Sequence, residues 1–287
     1  MSAHSHRNTP TPFPSLTIRR MDKMIRWSLP VIAFLLLVLL VSLIALGCQS
    51  MNAGGGKETD TGAETAVGTS PVADDPPAGG DVVLPQTADA GMVYQDKLTF
   101  VGDSLTAHLA SRGVLSGGTN TTQVWRTTTN MLNLNSEITS ARIVLPGTGE
   151  SVTIAQAAAK VKPPILIITL GTDWGVSYLN ETDFKACYGD LVRAVKEASP
   201  TTTVILQSIF PVTAGCKVLT NEKIDQANTW VKAVAAETGC RYLDTQSVLK
   251  DGNNCLKAEY CASTDGIHLT AEAYQVILSY IRTHAVQ

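Results

Sequence analysis

Leu98-Thr99-Phe100-Val101-Gly102-Asp103-Ser104-Leu105-Thr106 reads as a short buried strand, a Gly-Asp-Ser turn and the opening of a helix. A serine at that junction stands at the carboxyl end of a strand and the amino end of a helix. Backbone N–H groups and the helix dipole converge on it. A parallel α/β sheet presents a nucleophile and stabilises an oxyanion in this way. The same two polar residues, Asp103 and Ser104, also suit plain capping of the helix.

The far end of the chain supplies what such a serine needs. Asp265-Gly266-Ile267-His268-Leu269 stands just before the last helical segment. A hydroxyl nucleophile requires a base, and the base requires a carboxylate to orient it. One short turn carrying Asp265 and His268 offers both. Gly-Asp-Ser opens the folded region and Asp-x-x-His closes it, and in this combination the chain resembles the GDSL/SGNH hydrolase family from about Lys97 to His284. The resemblance implies a three-layer α/β/α, flavodoxin-like SGNH fold with a five-stranded parallel sheet. It also implies a catalytic set of Ser104, His268 and Asp265, with no metal and no organic cofactor.

The pattern between the two motifs agrees with that class. Strands are expected at Leu98–Val101, Gln123–Arg126, Ile165–Leu170, Thr203–Phe210 and Arg241–Asp244, in the order 2-1-3-4-5. Ile165-Leu166-Ile167-Ile168-Thr169-Leu170 is a continuous apolar run, as in a strand covered on both faces. Helices are expected over Leu105 to about Leu115, Thr153–Val161, Thr182–Ser199, Glu222–Thr238 and from Thr270 to about His284. Residues 213–221 form a loop on the same edge as Ser104 and are placed to shape substrate access. His108, one turn after Ser104, either lines the pocket or is a solvated helix histidine; it is not taken as the base.

Two positions depart from the family pattern. After the second strand the family has a glycine whose N–H faces the oxyanion, and this chain has Thr127-Thr128-Thr129-Asn130, so Thr128 is the candidate there. After the third strand Gly-x-Asn is usual, and here Gly171-Thr172-Asp173 stands instead. An ionised carboxylate has no proton to donate and repels an oxyanion. Asp173 is therefore protonated, or turned aside to leave a backbone N–H, or displaced in register by Trp174; loss of activity is the remaining alternative. Trp174 offers a face to a sugar or acyl group, or simply packs within the loop.

Length and composition fit one globular domain with appendages. The chain has 287 residues, 44% hydrophobic and 16% charged, with a formal net charge of −3. That balance, without a basic patch, excludes non-specific nucleic-acid binding. No zinc-like Cys/His spacing is present. Residues 1–26 form an N-terminal extension whose Arg19, Arg20, Lys23 and Arg26 precede an apolar run at 27–47. That run is long enough to span a bilayer, with the N-terminus inside. Ala45-Leu46-Gly47-Cys48 resembles a bacterial lipoprotein signal, which would place lipid on Cys48; an uncleaved signal anchor is the alternative. Residues 48–95 are read as a flexible linker and 96–287 as the hydrolase domain. Besides Cys48 the chain has Cys187, Cys216, Cys240, Cys255 and Cys261. A Cys255–Cys261 disulfide would stiffen the Asp-x-x-His loop, and free thiols are the alternative.

The expected function is an extracytoplasmic, membrane-anchored, monomeric serine esterase. Its substrate would be an acylated carbohydrate or small ester, with cell-wall O-acetyl groups favoured. Peptidoglycan O-acetyltransferase-like acyl transfer and a non-catalytic glycan-binding module are the alternatives.

Overall fold

The computed structural model describes residues 81–287, which leaves the apolar run at 27–47 and Cys48 outside the described residues. Among the described residues, no helix is long and apolar enough to cross a membrane. Five strands form one sheet: β1 (Leu98–Gly102), β2 (Val124–Trp125), β5 (Ile165–Thr169), β6 (Thr203–Gln207) and β7 (Arg241–Leu243). Their order is β2-β1-β5-β6-β7, and every pairing is parallel. This is the α/β fold and strand order expected from the sequence.

The three layers follow from alternation along the central strands. On β5, Leu166 and Ile168 point into one core, while Ile165 and Ile167 point into the other. The first core is closed by α3 (Ile154–Val161), α5 (Glu181–Ala198) and α6 (Asn221–Glu237) through Ala157, Tyr188, Leu191 and Val231. The second is closed by α1 (Gly91–Gln95), α2 (Ser104–Ser111) and α8 (Ala271–Arg282) through Tyr94, Leu105, Leu109, Tyr274 and Ile277. Burial on both faces is why β5 opens with four consecutive apolar residues, Ile165 to Ile168.

Three features differ from the sequence-based expectation. Arg142–Val144 (β3) and Ser151–Thr153 (β4) form a separate antiparallel pair. A four-residue helix α4 (Gly175–Tyr178) follows the Asp173 loop, and a second short helix α7 (Gln246–Leu249) follows β7, where no helix is expected from the sequence. The folded region also starts before residue 96. Val83 bridges Tyr242 in parallel, Leu84 is 5% exposed, and Tyr242 N–H donates to the Val82 carbonyl. Residues 81–95 thus belong to the packed unit and not to the linker, because Val82-Val83-Leu84 covers the open edge of β7. Cys187, Cys216, Cys240, Cys255 and Cys261 are all free thiols, so no Cys255–Cys261 bridge stiffens the loop.

Candidate active site

Ser104 is the first residue of α2. The Asp103 carboxylate caps that helix by accepting from the Leu105 N–H at 3.2 Å. Its other oxygen accepts from the Thr172 N–H at 3.0 Å. One buried side chain therefore fixes two loops at once, the turn that presents Ser104 and the turn that presents Asp173. Burial, with the charge of Asp173 adding to it, pushes the Asp103 carboxyl up to about 7.

Ser104 Oγ lies 3.4 Å from His268 Nε2, and His268 Nδ1 lies 2.6 Å from Asp265 Oδ2. The two motifs, far apart in sequence, thus meet in the order hydroxyl, imidazole, carboxylate. Asp265 is held from several sides. Its Oδ1 accepts from Ser263 Oγ at 2.5 Å, from the Ile267 N–H at 2.7 Å and from the His268 N–H at 3.2 Å. Burial alone would raise this carboxyl; the hydrogen bonds from Ser263, Ile267 and His268 outweigh it and keep it well below the usual carboxylate range. An ionised Asp265 fixes the Nδ1–H tautomer, which leaves Nε2 free to accept a proton from Ser104.

Asp173 faces the amide of Ser104. The Ser104 N–H donates to Asp173 Oδ2 at 3.2 Å, and Ser104 Oγ lies 3.3 Å from Asp173 Oδ1. The carboxylate has not turned away. Gly171 shapes this loop: its φ is +130°, and a Cβ there would sit 2.7 Å from Ile209 Cδ1. Trp174 next to Asp173 is 38% exposed and stacks on Tyr178, 67% exposed, with ring centroids 4.3 Å apart.

Thr128 follows the last residue of β2 by three positions. Thr128 lines a cavity of about 410 Å³ together with Thr121, Val124, Arg126, Thr127 and Asn130. Among the described residues no hydrogen bond joins Thr128 to Ser104. The loop is held by Thr127 and Thr129, and Asn130 takes a left-handed φ of 59°, the conformation usually left to glycine. Sequence reasoning missed Ser263 and Tyr178 and left His108 open between lining the pocket and facing solvent. His108 is not a solvated helix residue, since its ring centroid lies 4.8 Å from that of His268. The one available signal was its spacing, four residues after Ser104 on the same helix face.

A sequence model of the GDSL-like lipase/acylhydrolase family matches residues 100–276, which includes Ser104, Asp173, Asp265 and His268. The chain belongs to this family. Among solved structures, it resembles a GDSL-like lipase from Bacteroides thetaiotaomicron at 17% identity and TM-score 0.45, covering 66% of this chain and 87% of that one. It also resembles the periplasmic domain of a lipopolysaccharide acetyltransferase from Salmonella ser. Paratyphi A, at 15% identity and TM-score 0.46, covering 64% and 82%. A peptidoglycan O-acetylesterase matches at 15% identity and TM-score 0.39, covering 45% of this chain and 38% of that one, so the match spans well under half of that protein. No curated protein matches the chain.

Proposed function

We propose that this acylhydrolase is an extracytoplasmic serine esterase that removes acyl groups, O-acetyl groups foremost, from cell-wall or other carbohydrate. The observation that carries the proposal is the contact chain from Ser104 Oγ through His268 to Asp265, at 3.4 Å and 2.6 Å. Ser104 Oγ attacks the ester carbonyl as its proton passes to His268 Nε2. Asp265 holds the imidazolium that forms. The tetrahedral intermediate collapses, His268 returns the proton to the leaving alcohol, and the acyl group stays on Ser104. Water then gives a proton to His268 and attacks the acyl-enzyme, and Ser104 recovers its hydrogen as the acid leaves. The Ser104 N–H serves the oxyanion once Asp173 yields it.

A saccharide ester as substrate is favoured by the exposed Trp174–Tyr178 stack, which offers an aromatic face next to Asp173. Extracytoplasmic placement rests on the cationic residues 19–26 followed by the apolar run at 27–47.

The test is turnover of p-nitrophenyl acetate and of an O-acetylated glycan by the full chain, with labelling by a fluorophosphonate. Ser104→Ala and His268→Ala should each abolish turnover while the thermal transition stays in place, and the adduct should map to Ser104. A wild-type protein with neither turnover nor adduct would favour a glycan-binding module. That second reading is supported by the Asp173 carboxylate on the Ser104 amide.

A further inference from the structure

His108 stands against the base, and the acyl-transfer scheme gives it no part. It lies on α2 one turn after Ser104, so the helix that presents the nucleophile also presents this ring. The two imidazoles are 4.8 Å apart between centroids and inclined at 37°. The Tyr274 hydroxyl donates to the Leu105 carbonyl at 2.7 Å, which ties α2 to α8, the helix that follows the His268 turn. Nucleophile helix and base loop are thus locked together, and His108 fills the contact between them.

We propose that His108 is a positioning residue for the acyl-transfer reaction: its neutral ring packs on the His268 imidazole, keeps Nε2 directed at Ser104 and accommodates the imidazolium that forms there. This rests on the proposed Ser104–His268–Asp265 assignment. A neutral aromatic face attracts a cation, whereas a second cation at this distance repels it. His108 is built to stay neutral. Its Nδ1 is buried with no hydrogen-bond partner among the described residues. Burial first, then the positive charges of His268 and of Arg112 on its own helix, hold His108 below its ordinary range, with Asp265 pulling the other way.

The experiment measures kcat and KM on p-nitrophenyl acetate across pH for the full chain, His108→Phe, His108→Ala and Ser104→Ala. His108→Ala should lower kcat about 10-fold with KM within about twofold, because only the proton transfer loses its support. His108→Phe keeps a ring that cannot take a proton, and should restore kcat to within about threefold of wild type. On the acid side log kcat/KM of wild type should steepen toward a slope of about two as the second ring takes a proton, and His108→Phe should keep a slope of about one.

Ser104-dependent turnover that is indifferent to His108→Ala overturns this proposal alone, as does a folded His108→Phe as slow as His108→Ala. Turnover that survives Ser104→Ala overturns the triad and this proposal with it. Imidazole nitrogen NMR gives a readout independent of turnover and of the alanine variant. His108 should show the nitrogen shifts of a neutral imidazole across the pH range in which the enzyme turns over; a protonated His108 in that range overturns the proposal.

Discussion

The Asp173 carboxylate accepts the Ser104 N–H at 3.2 Å and lies 3.3 Å from Ser104 Oγ, slightly nearer than the 3.4 Å to His268 Nε2. A serine hydroxyl has one hydrogen, and here two acceptors compete for it. Attack on an ester requires the hydrogen on the imidazole side and the amide facing the new oxyanion. Asp173 opposes both. Asp173→Asn should therefore raise kcat/KM by about 10-fold or more, since one oxyanion donor is worth on the order of 10²–10³ in rate. Steady-state turnover of p-nitrophenyl acetate checks this. A fall instead would mean that the carboxylate itself takes part in the reaction.

Asp265 is held ionised by donors on both oxygens, and in the proposed triad it orients and pairs with His268. Asp265→Asn should lower kcat on the order of 10³-fold with a small change in KM, because the amide favours the wrong imidazole tautomer. Ser263→Ala removes one hydrogen bond to Oδ1 and should cost less, about 10-fold or below. The pH profile separates the two. Asp265 stays ionised to well below the usual carboxylate range, so the acid limb of wild-type activity should reflect imidazole protonation and not loss of this carboxylate.

Much of this arrangement was legible in the sequence, and the part that was not has physical causes. β5 was readable because burial on both faces leaves Ile165-Leu166-Ile167-Ile168 without a polar interruption, and β1 because Phe100-Val101 runs into the Gly-Asp-Ser turn. Ser104, Asp265 and His268 were readable because each sits at a turn bordering a long, strongly patterned element. β3 and β4 have three residues each, too few for alternation to stand out, and Pro146-Gly147 shows only that a turn lies between them. Val82-Val83-Leu84 sits in a polar, Pro- and Gly-rich surround and has no period of its own; its partner is the β7 edge, far away in the chain. His108 on a helix carries no trace of the ring that packs on it, because His268 arrives 160 residues later. Asp173 was legible as an anomaly, while its direct contact with the nucleophile's amide required the folded loop.

Asp103 links the site to stability. Its carboxyl is fully buried and raised from 3.8 to about 7 in the folded protein. The folded state therefore binds a proton that the unfolded state has already released between those values. The sign follows: this contribution is fully present below pH ~4 and is lost as pH rises through about 7. The shift corresponds to roughly 4 kcal/mol at most. Melting temperature should fall as pH rises across that window, and Asp103→Asn should flatten the dependence. An unchanged slope in the variant would show that another group is responsible.

Gly266 sits between Asp265 and His268 in the Asp-x-x-His turn, and its geometry allows no side chain for two separate reasons. Its φ is +77°, and a Cβ would lie 2.3 Å from Thr213 Oγ1 and 3.2 Å from Cys216 Cβ. The Thr213 N–H also donates to the Gly266 carbonyl at 2.9 Å, so the loop after β6 braces the turn that carries Asp265 and His268. Gly266→Ala should therefore cost about 1–2 kcal/mol for the left-handed backbone and more for the collision. The displaced turn should lower kcat by about 10-fold or more, since small misplacements of a base are expensive. Thr213→Ala removes the 2.3 Å collision and leaves the backbone cost and the tight contact with Cys216. Added to Gly266→Ala, it should recover part of the melting temperature and part of kcat, while alone it should change both only slightly. If the double variant recovers nothing, the turn is set by the left-handed backbone and not by the loop that braces it.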